Sequence, residues 1–400
     1  MNLPAVSSQL LIFLSFMNYD SLEMRIAAGQ WLRILLIFGV FFLMAMCRPE
    51  RTSDAAKRVD TLFSGLIFSR EPGAAVIVIK DGRVAFEHGY GVTDLRTLRP
   101  IDSQTNFRLA SVTKQFTAAA VMLLVRDGKL RYEDSLTGIF PDFPEYGRAI
   151  TIRHLLNHTS GLPDYEDLMP AYDTAIPVEQ VQIKDIGVFN LLKAQEAGKF
   201  APGSRWAYSN SGYVLLGLVV EKISGRSFAE FLRERIFVPL KMTNTVAYER
   251  GKNDVANRAY GYTKKDDRWQ ETDQSPTSAT LGDGGVYSSL ADLARWDEAL
   301  RQHTLLSELE IQPALIPVSV PGEGSTEPDG TPAAYGFGWF LNPWRGHARM
   351  WHYGETVGFR TAIQRFTDDR LTVVVLCNRS DLDARSLALK IAEFYLEGPR

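Results

Sequence analysis

Residues 74–91 read AAVIVIKDGRVAFEHGYG, two β-branched runs around Asp81-Gly82. Asp-Gly between apolar runs is the strongest short-range hairpin signal, because both residues accept the left-handed backbone that a two-residue turn of matching twist requires. The far end of the chain mirrors this pattern. Residues 350–354, 359–366 and 371–378 predict three strands, the last two joined at Asp368-Asp369, and a helix follows over 382–396. Between the two ends the apolar spacing is helical, over 112–126 closing on Asp127-Gly128, then 152–158, 183–196, 211–224, 228–237 and 290–301. Strands from both ends around a helical middle predict an α+β fold. One antiparallel sheet is built from N- and C-terminal strands with helices packed on it, and a mostly helical region over about 108–330 is inserted between its halves. The Pro- and Gly-rich stretch 317–332 predicts a long loop before the return to the sheet.

The first fifty residues are a different material. Residues 34–46, ILLIFGVFFLMAM, are apolar without interruption, with Arg25 and Arg33 before them and Arg48, Glu50 and Arg51 after. That length suits the apolar stretch of a signal peptide and is short for a membrane span; counting back to Trp31 leaves an anchor retained over 31–47 as the alternative. The basic segment beginning at Met24 points to Met24 rather than Met1 as the initiator. Cys47 directly after the run invites a lipid-anchor reading, against which Met46 stands where such sites take a small residue. The expected organisation is a leader over 1–51 and a catalytic domain over 52–400, exported to the periplasm or beyond, cleaved or held at the membrane.

Composition removes several classes of function. Lys+Arg 44 against Asp+Glu 47 gives a net charge of -3, so bulk attraction to nucleic acid is excluded and partners must be read from individual sites. The two cysteines, Cys47 and Cys377, rule out a disulfide framework and any Cys-rich metal centre, and Cys377 within TVVVLCN reads as a small core residue. His154 and His158 have a zinc-ligand spacing, but Leu155 occupies the position where H-E-x-x-H needs its glutamate. No cofactor and no metal is expected, and the absence of G-x-S-x-G excludes the α/β-hydrolase elbow.

Three short motifs carry the chemistry. Ser111-Val112-Thr113-Lys114 is the only S-x-x-K, placed where a helix begins. At i and i+3 the two side chains share a face, so a lysine partly desolvated at the helix start can take the serine proton. An N-capping serine with a solvated lysine one turn on would read the same. Tyr208-Ser209-Asn210 is the only Y-x-N. A tyrosine between cations has its pKa lowered and can carry a proton, and an amide two residues on can hold both lysine and substrate. His352-Tyr353-Gly354 falls on a predicted strand, where an edge offers backbone N–H groups and a glycine admits close approach of a substrate. Trp339 and Trp351 suit a cleft wall and core packing equally.

In the order S-x-x-K, Y-x-N, H-x-G the chain resembles the serine β-lactamase and penicillin-binding-protein superfamily, in its branch of class C β-lactamases, D-alanyl-D-alanine carboxypeptidases and related esterases. The likeness extends through Phe107-Arg108-Leu109-Ala110, the segment H-L-L-N-H-T-S-G-L at 154–162, and Gly284-Gly285-Val286-Tyr287-Ser288-Ser289. It implies Ser111 as acylated nucleophile, Lys114 and Tyr208 as proton network, and Asn210 as ligand of lysine and substrate. His352 and Gly354 would complete the substrate site, with the backbone N–H groups of Ser111 and Glu355 as oxyanion hole. The implied reaction is acyl transfer to water from a small ester, amide or D-amino-acid or cell-wall peptide. A β-lactamase or carboxypeptidase proper, and a penicillin-binding module that does not turn over, are the alternatives. His352 stands where penicillin-recognising members carry lysine, and Tyr353 where they carry Thr or Ser. The charge that would hold a substrate carboxylate becomes conditional on pH. Esters and non-carboxylated amides are therefore expected to outrun cephalosporins, and KM should rise above pH ~6.5 if His352 binds as imidazolium.

Overall fold

The computed structural model describes residues 54–172, 175–320 and 334–396. The leader with Met24 and Cys47, and most of the loop expected over 317–332, lie outside them. In chain order the described residues form α1 (Asp54–Ser64), β1 (Ala74–Lys80), β2 (Arg83–Tyr90), β3 (Phe107–Arg108), α2 (Lys114–Arg126), α3 (Asp185–Lys193), α4 (Asn210–Ser224), β4 (Val246–Ala247), β5 (Tyr262–Lys265), β6 (Arg268–Glu271), β7 (Val286–Ser288), α5 (Leu290–Arg301), β8 (Arg349–Thr356), β9 (Phe359–Phe366), β10 (Leu371–Cys377) and α6 (Ala384–Ala392), with shorter helical turns between them. No helix among them is long and apolar enough to cross a membrane.

The expected sheet is present. Its order is β2-β1-β10-β9-β8, antiparallel throughout, so the N-terminal hairpin docks beside the last strand with Ala74 opposite Cys377. Asp81 and Gly82 turn the hairpin at φ 54° and 75°, as a primed turn demands. β1 reads AAVIVIK without polar alternation because both of its faces are covered. Ala75, Ile77 and Ile79 pack with Val374, Leu376 and Ile363 on the face toward the helical region. Ala74, Val76 and Val78 pack with Val373, Val375 and Cys377 beneath α1 and α6. Cys377 is the buried core residue expected, its thiol pushed up to about 12 by desolvation. β2 lies at one edge and is mostly exposed.

The inserted middle is helical, with two small sheets that the sequence pattern does not reveal: β3-β7-β4 and the hairpin β5-β6. Their strands run two to four residues, too short for a period of two to register. α2 is buried on every side from Lys114 to Leu124 and packs against α4, which marks it as the central helix of the region. It stops where expected, at Asp127, with Gly128 at φ 70° and the Lys129 N–H closing on the Leu124 carbonyl at 3.0 Å.

Candidate active site

Ser111 does not sit on the regular helix predicted from residue 112. It lies in a single 3-10 turn, Ala110–Thr113, that leads into α2. Ala110 takes φ 48°, a left-handed conformation that costs a residue with a Cβ and that the packing around it must hold. That packing comes from β8 and β9. The Leu109 carbonyl accepts from Thr361 Oγ1 at 2.8 Å, and a Cβ on Gly354 would collide with that same carbonyl. Gly354 therefore makes room for the turn bearing Ser111, which corrects the expectation that it makes room for substrate.

Lys114, on the first turn of the buried helix, is fully enclosed. Its Nζ donates to Ser111 Oγ at 3.0 Å, to Asn210 Oδ1 at 2.9 Å and to the backbone carbonyl of Asp283 at 3.0 Å. Desolvation lowers its pKa from 10.5 to about 8, against the carboxylates of Asp283, Asp164 and Glu166, which act to raise it. The three partners are unequal. Two are carbonyl oxygens that can only accept, whereas the serine hydroxyl can also donate. Once the amine is neutral it keeps two N–H bonds, which satisfy Asn210 and Asp283, and its lone pair is left facing the Ser111 proton.

Tyr208 and Asn210 reach the same point from the entry to α4, whose first turn is capped by Ser209 Oγ accepting the Gly212 N–H at 3.1 Å. The phenol behaves opposite to expectation. Burial pushes its pKa well above the ordinary value, and Lys114 Nζ lies over the ring face at 4.8 Å from the centroid. Tyr208 is a neutral hydroxyl there.

His158 fixes this segment from both sides. Its backbone carbonyl accepts the Ala207 N–H at 2.9 Å and its Nδ1 accepts the Ser209 N–H at 3.1 Å, so the residues flanking Tyr208 are both tied to it. The carbonyl and the ring face one segment because His158 takes φ 63°. Its ring packs on those of Tyr208 and Tyr335 at centroid distances of 4.4 and 4.5 Å. His154 works elsewhere, with Nδ1 accepting the Thr151 N–H in a capping box.

His352 is the clearest departure from the sequence reading. It is completely buried; Tyr335 OH lies 3.0 Å from its Nε2 and the Tyr353 carbonyl 2.7 Å from its Nδ1. The carbonyl can only accept, which puts the ring proton on Nδ1 and makes Nε2 the acceptor for Tyr335. Desolvation and the nearby Lys114 lower its pKa to about 3. A neutral, enclosed imidazole of this kind does not hold a substrate carboxylate. Tyr353 stacks with Trp351 and Phe340. Trp351 and Trp339 are core residues, 1% and 3% exposed.

The cleft that opens on Ser111 has a volume of about 280 Å³. Ser111, Asn210 and Glu355 lie on its walls, and Tyr208, His352 and Gly354 do not. Tyr165, Glu166, Thr280 and Asp283 also line it, and the sequence motifs missed all four. Asp164 and Glu166 have raised pKa values, first from desolvation and then from neighbouring carboxylates. On β8 the Trp351 N–H and carbonyl bond outward to Phe340, away from β9. The period of two places the Glu355 N–H on that same open edge, beside the Ser111 turn.

Comparison with known proteins places the chain among relatives of known family and fold. The Beta-lactamase family profile matches residues 59–396. Penicillin-binding protein 4* of Bacillus subtilis (strain 168) is 35% identical over 356 residues, covering 86% of this chain and 76% of that protein. A D-aminopeptidase of Brucella canis is 30% identical over 328 residues, 80% of this chain; the chain spans only 58% of that protein's length. The octameric penicillin-binding protein homologue from Pyrococcus abyssi superposes with a TM-score of 0.72 at 27% identity, over 87% of this chain and 78% of that one.

Proposed function

The chain belongs to the Beta-lactamase family of serine hydrolases, and from that premise we propose that it cleaves small amides or esters through an acyl-enzyme on Ser111. Neutral Lys114 takes the Ser111 proton as Oγ attacks the carbonyl carbon. The bond to the leaving group breaks, and the proton passes to that group through Lys114 or the Tyr208 hydroxyl. Water then repeats the sequence and frees the acid. The backbone N–H groups of Ser111 and Glu355 are the donors for the oxyanion, a reading supported by the open edge of β8 beside the serine turn.

One observation carries this reading: a fully buried lysine with its pKa near 8, whose lone pair has the Ser111 hydroxyl as its only proton-bearing partner. At pH 7 about one lysine in ten is neutral, enough for a general base without a separate histidine. Enclosure and neutrality of His352 argue against carboxylate-anchored β-lactams, and the likeness to a D-aminopeptidase supports D-amino-acid amides or peptides as substrates. The Arg-flanked apolar run at 34–46 supports action outside the cytoplasm. The test is intact-protein mass spectrometry with a fluorophosphonate, then rates on p-nitrophenyl esters, D-alanine p-nitroanilide and a chromogenic cephalosporin. A single adduct that Ser111→Ala abolishes is expected, with the cephalosporin slowest. No adduct on Ser111 overturns the mechanism, and a cephalosporin turned over fastest overturns the substrate class.

A further inference from the structure

Three groups aim the Lys114 amine, and one of them is not a side chain. Ser111 offers its hydroxyl and Asn210 its amide, whereas the third partner is the main-chain carbonyl of Asp283, in a segment that also holds Gly282, Gly284 and Gly285. Glycine leaves a backbone freer than any other residue does, so a carbonyl in such a segment needs something to hold it. α2 supplies that hold. Ser111, Lys114 and Thr117 recur at every third residue, and residues three apart along a helix share a face. Thr117 is completely buried, and its Oγ1 donates to the Gly282 carbonyl at 2.6 Å. Two side chains one turn apart on α2 therefore grip successive carbonyls of one loop, Thr117 that of Gly282 and Lys114 that of Asp283.

The Gly282 carbonyl and the Asp283 N–H belong to one planar peptide unit, so fixing the first orients the residue whose own carbonyl meets Lys114. α4 confines the same peptide from the other side, since a Cβ on Gly282 would lie 2.2 Å from the Tyr213 carbonyl oxygen. The flanks of the loop are held separately. Asp185 Oδ1 accepts the Leu281 N–H at 3.1 Å, and Thr113 Oγ1 accepts the Val286 N–H at 3.1 Å. Those two bonds anchor the loop, whereas the Thr117 bond acts on the one peptide that adjoins the lysine's acceptor. We propose that Thr117 is a positioning residue for proton transfer: by holding the Gly282 carbonyl it fixes the Asp283 carbonyl, and so keeps the lone pair of the neutral lysine on the Ser111 proton. The proposal rests on the reading of Lys114 as the base for Ser111 and adds the group that orients that base.

The experiment measures kcat, KM and the pH profile of kcat/KM on a p-nitrophenyl ester for Thr117→Val, Thr117→Cys and Thr117→Ser, with rates expressed per serine titrated to completion by a fluorophosphonate. Valine keeps the shape and deletes the donor, so kcat is expected to fall about tenfold with KM changed less than about twofold. An acceptor loosened from the ammonium favours the neutral amine, so the midpoint of the pH profile should move down by about half a unit. Serine keeps the hydroxyl and should stay within about twofold of the unmodified chain, and cysteine, a weak donor, should lie between the two. A lowered melting temperature with kcat and midpoint unchanged in the valine and cysteine variants overturns the proposal and leaves Thr117 a packing role. So does a serine variant as impaired as valine, which would assign the effect to the methyl group. Where Thr117→Val fails to fold, Thr117→Cys decides on the same two readouts. Labelling separates the two levels: a labelled Ser111 with indifferent Thr117 variants removes the positioning role alone, whereas an unlabelled Ser111 in the unmodified chain removes the acyl-enzyme reading with it.

Discussion

Lys114 stands between two unlike surroundings. On the cleft side are Asp164, Glu166 and Asp283, which favour its charged form. Behind it is an aromatic box of Tyr208, Tyr213, Tyr335 and Phe340 enclosing two uncharged imidazoles, His158 and His352, which offers a buried charge no counter-ion and only the ring faces of Tyr208 and Tyr213. The outcome shows which side dominates. A fall from 10.5 to about 8 is roughly 3 kcal/mol in favour of the neutral amine, so desolvation outweighs the carboxylates. The carboxylates still matter, because they keep the lysine from falling so low that it would be too weak a base. The acidic wall and the apolar box together poise one amine near working pH, and either alone would miss.

The largest effect should come from removing the group on which both sides act. Lys114→Met keeps the length and apolar contacts of the side chain and deletes the base; kcat on a p-nitrophenyl ester is expected to fall about a thousandfold or more, within the range of general-base contributions. Thermal unfolding of the variant should change little, since relief of a desolvated amine offsets the donor lost by Asn210 Oδ1 and the Asp283 carbonyl. A loss of activity under about tenfold would mean that the proton leaves Ser111 by another route.

A smaller effect isolates the box. His158 ties down the backbone on both sides of Tyr208 through its carbonyl and its Nδ1, so His158→Phe should reduce kcat by about ten- to a hundredfold with KM nearly constant, as displacement of a catalytic group does. His158→Asn should recover most of it, because asparagine tolerates the φ of 63° and offers a side-chain acceptor. Titration of active Ser111 with a fluorophosphonate distinguishes positioning from simple instability. Both variants restored to normal rates per active serine would leave His158 with a packing role.

The sequence made one side of this comparison legible and hid the other. Ser111 and Lys114 are found by local spacing, and the five-stranded sheet by apolar runs whose alternate residues cover both faces, as Ile77 and Val78 do. The acidic wall escaped because Asp164, Glu166 and Asp283 lie outside the three motifs, in segments far apart in sequence; of the carboxylate residues lining the cleft only Glu355 was named from the sequence, and then for its backbone N–H. For Tyr208 and His352 the residues were recognised and their ionisation misread. Neighbouring charges can be guessed from a motif, whereas burial depends on Tyr335 and Phe340, which belong to none of the three motifs. Desolvation, the term a linear pattern conveys least, proved the largest for both groups.

The smallest effect tests the balance itself through pH. Lys114 acts as base only when deprotonated, so kcat/KM should rise with pH through a midpoint near 8. Glu166→Gln removes a negative charge that stabilises the ammonium, and the midpoint should move down by a fraction of a unit at low salt. His352→Gln exchanges one neutral group for another and should leave the midpoint where it is. For the same reason KM should be flat between pH ~5 and ~8, contrary to what a charged third-motif histidine would give, because a group with its pKa near 3 does not titrate there. An upward step in KM near pH 6.5 would restore His352 to the substrate site and require its enclosure by Tyr335 to open. A midpoint that moves with His352 but not with Glu166 would reverse the comparison, making the aromatic box the charged side and the acidic wall a bystander.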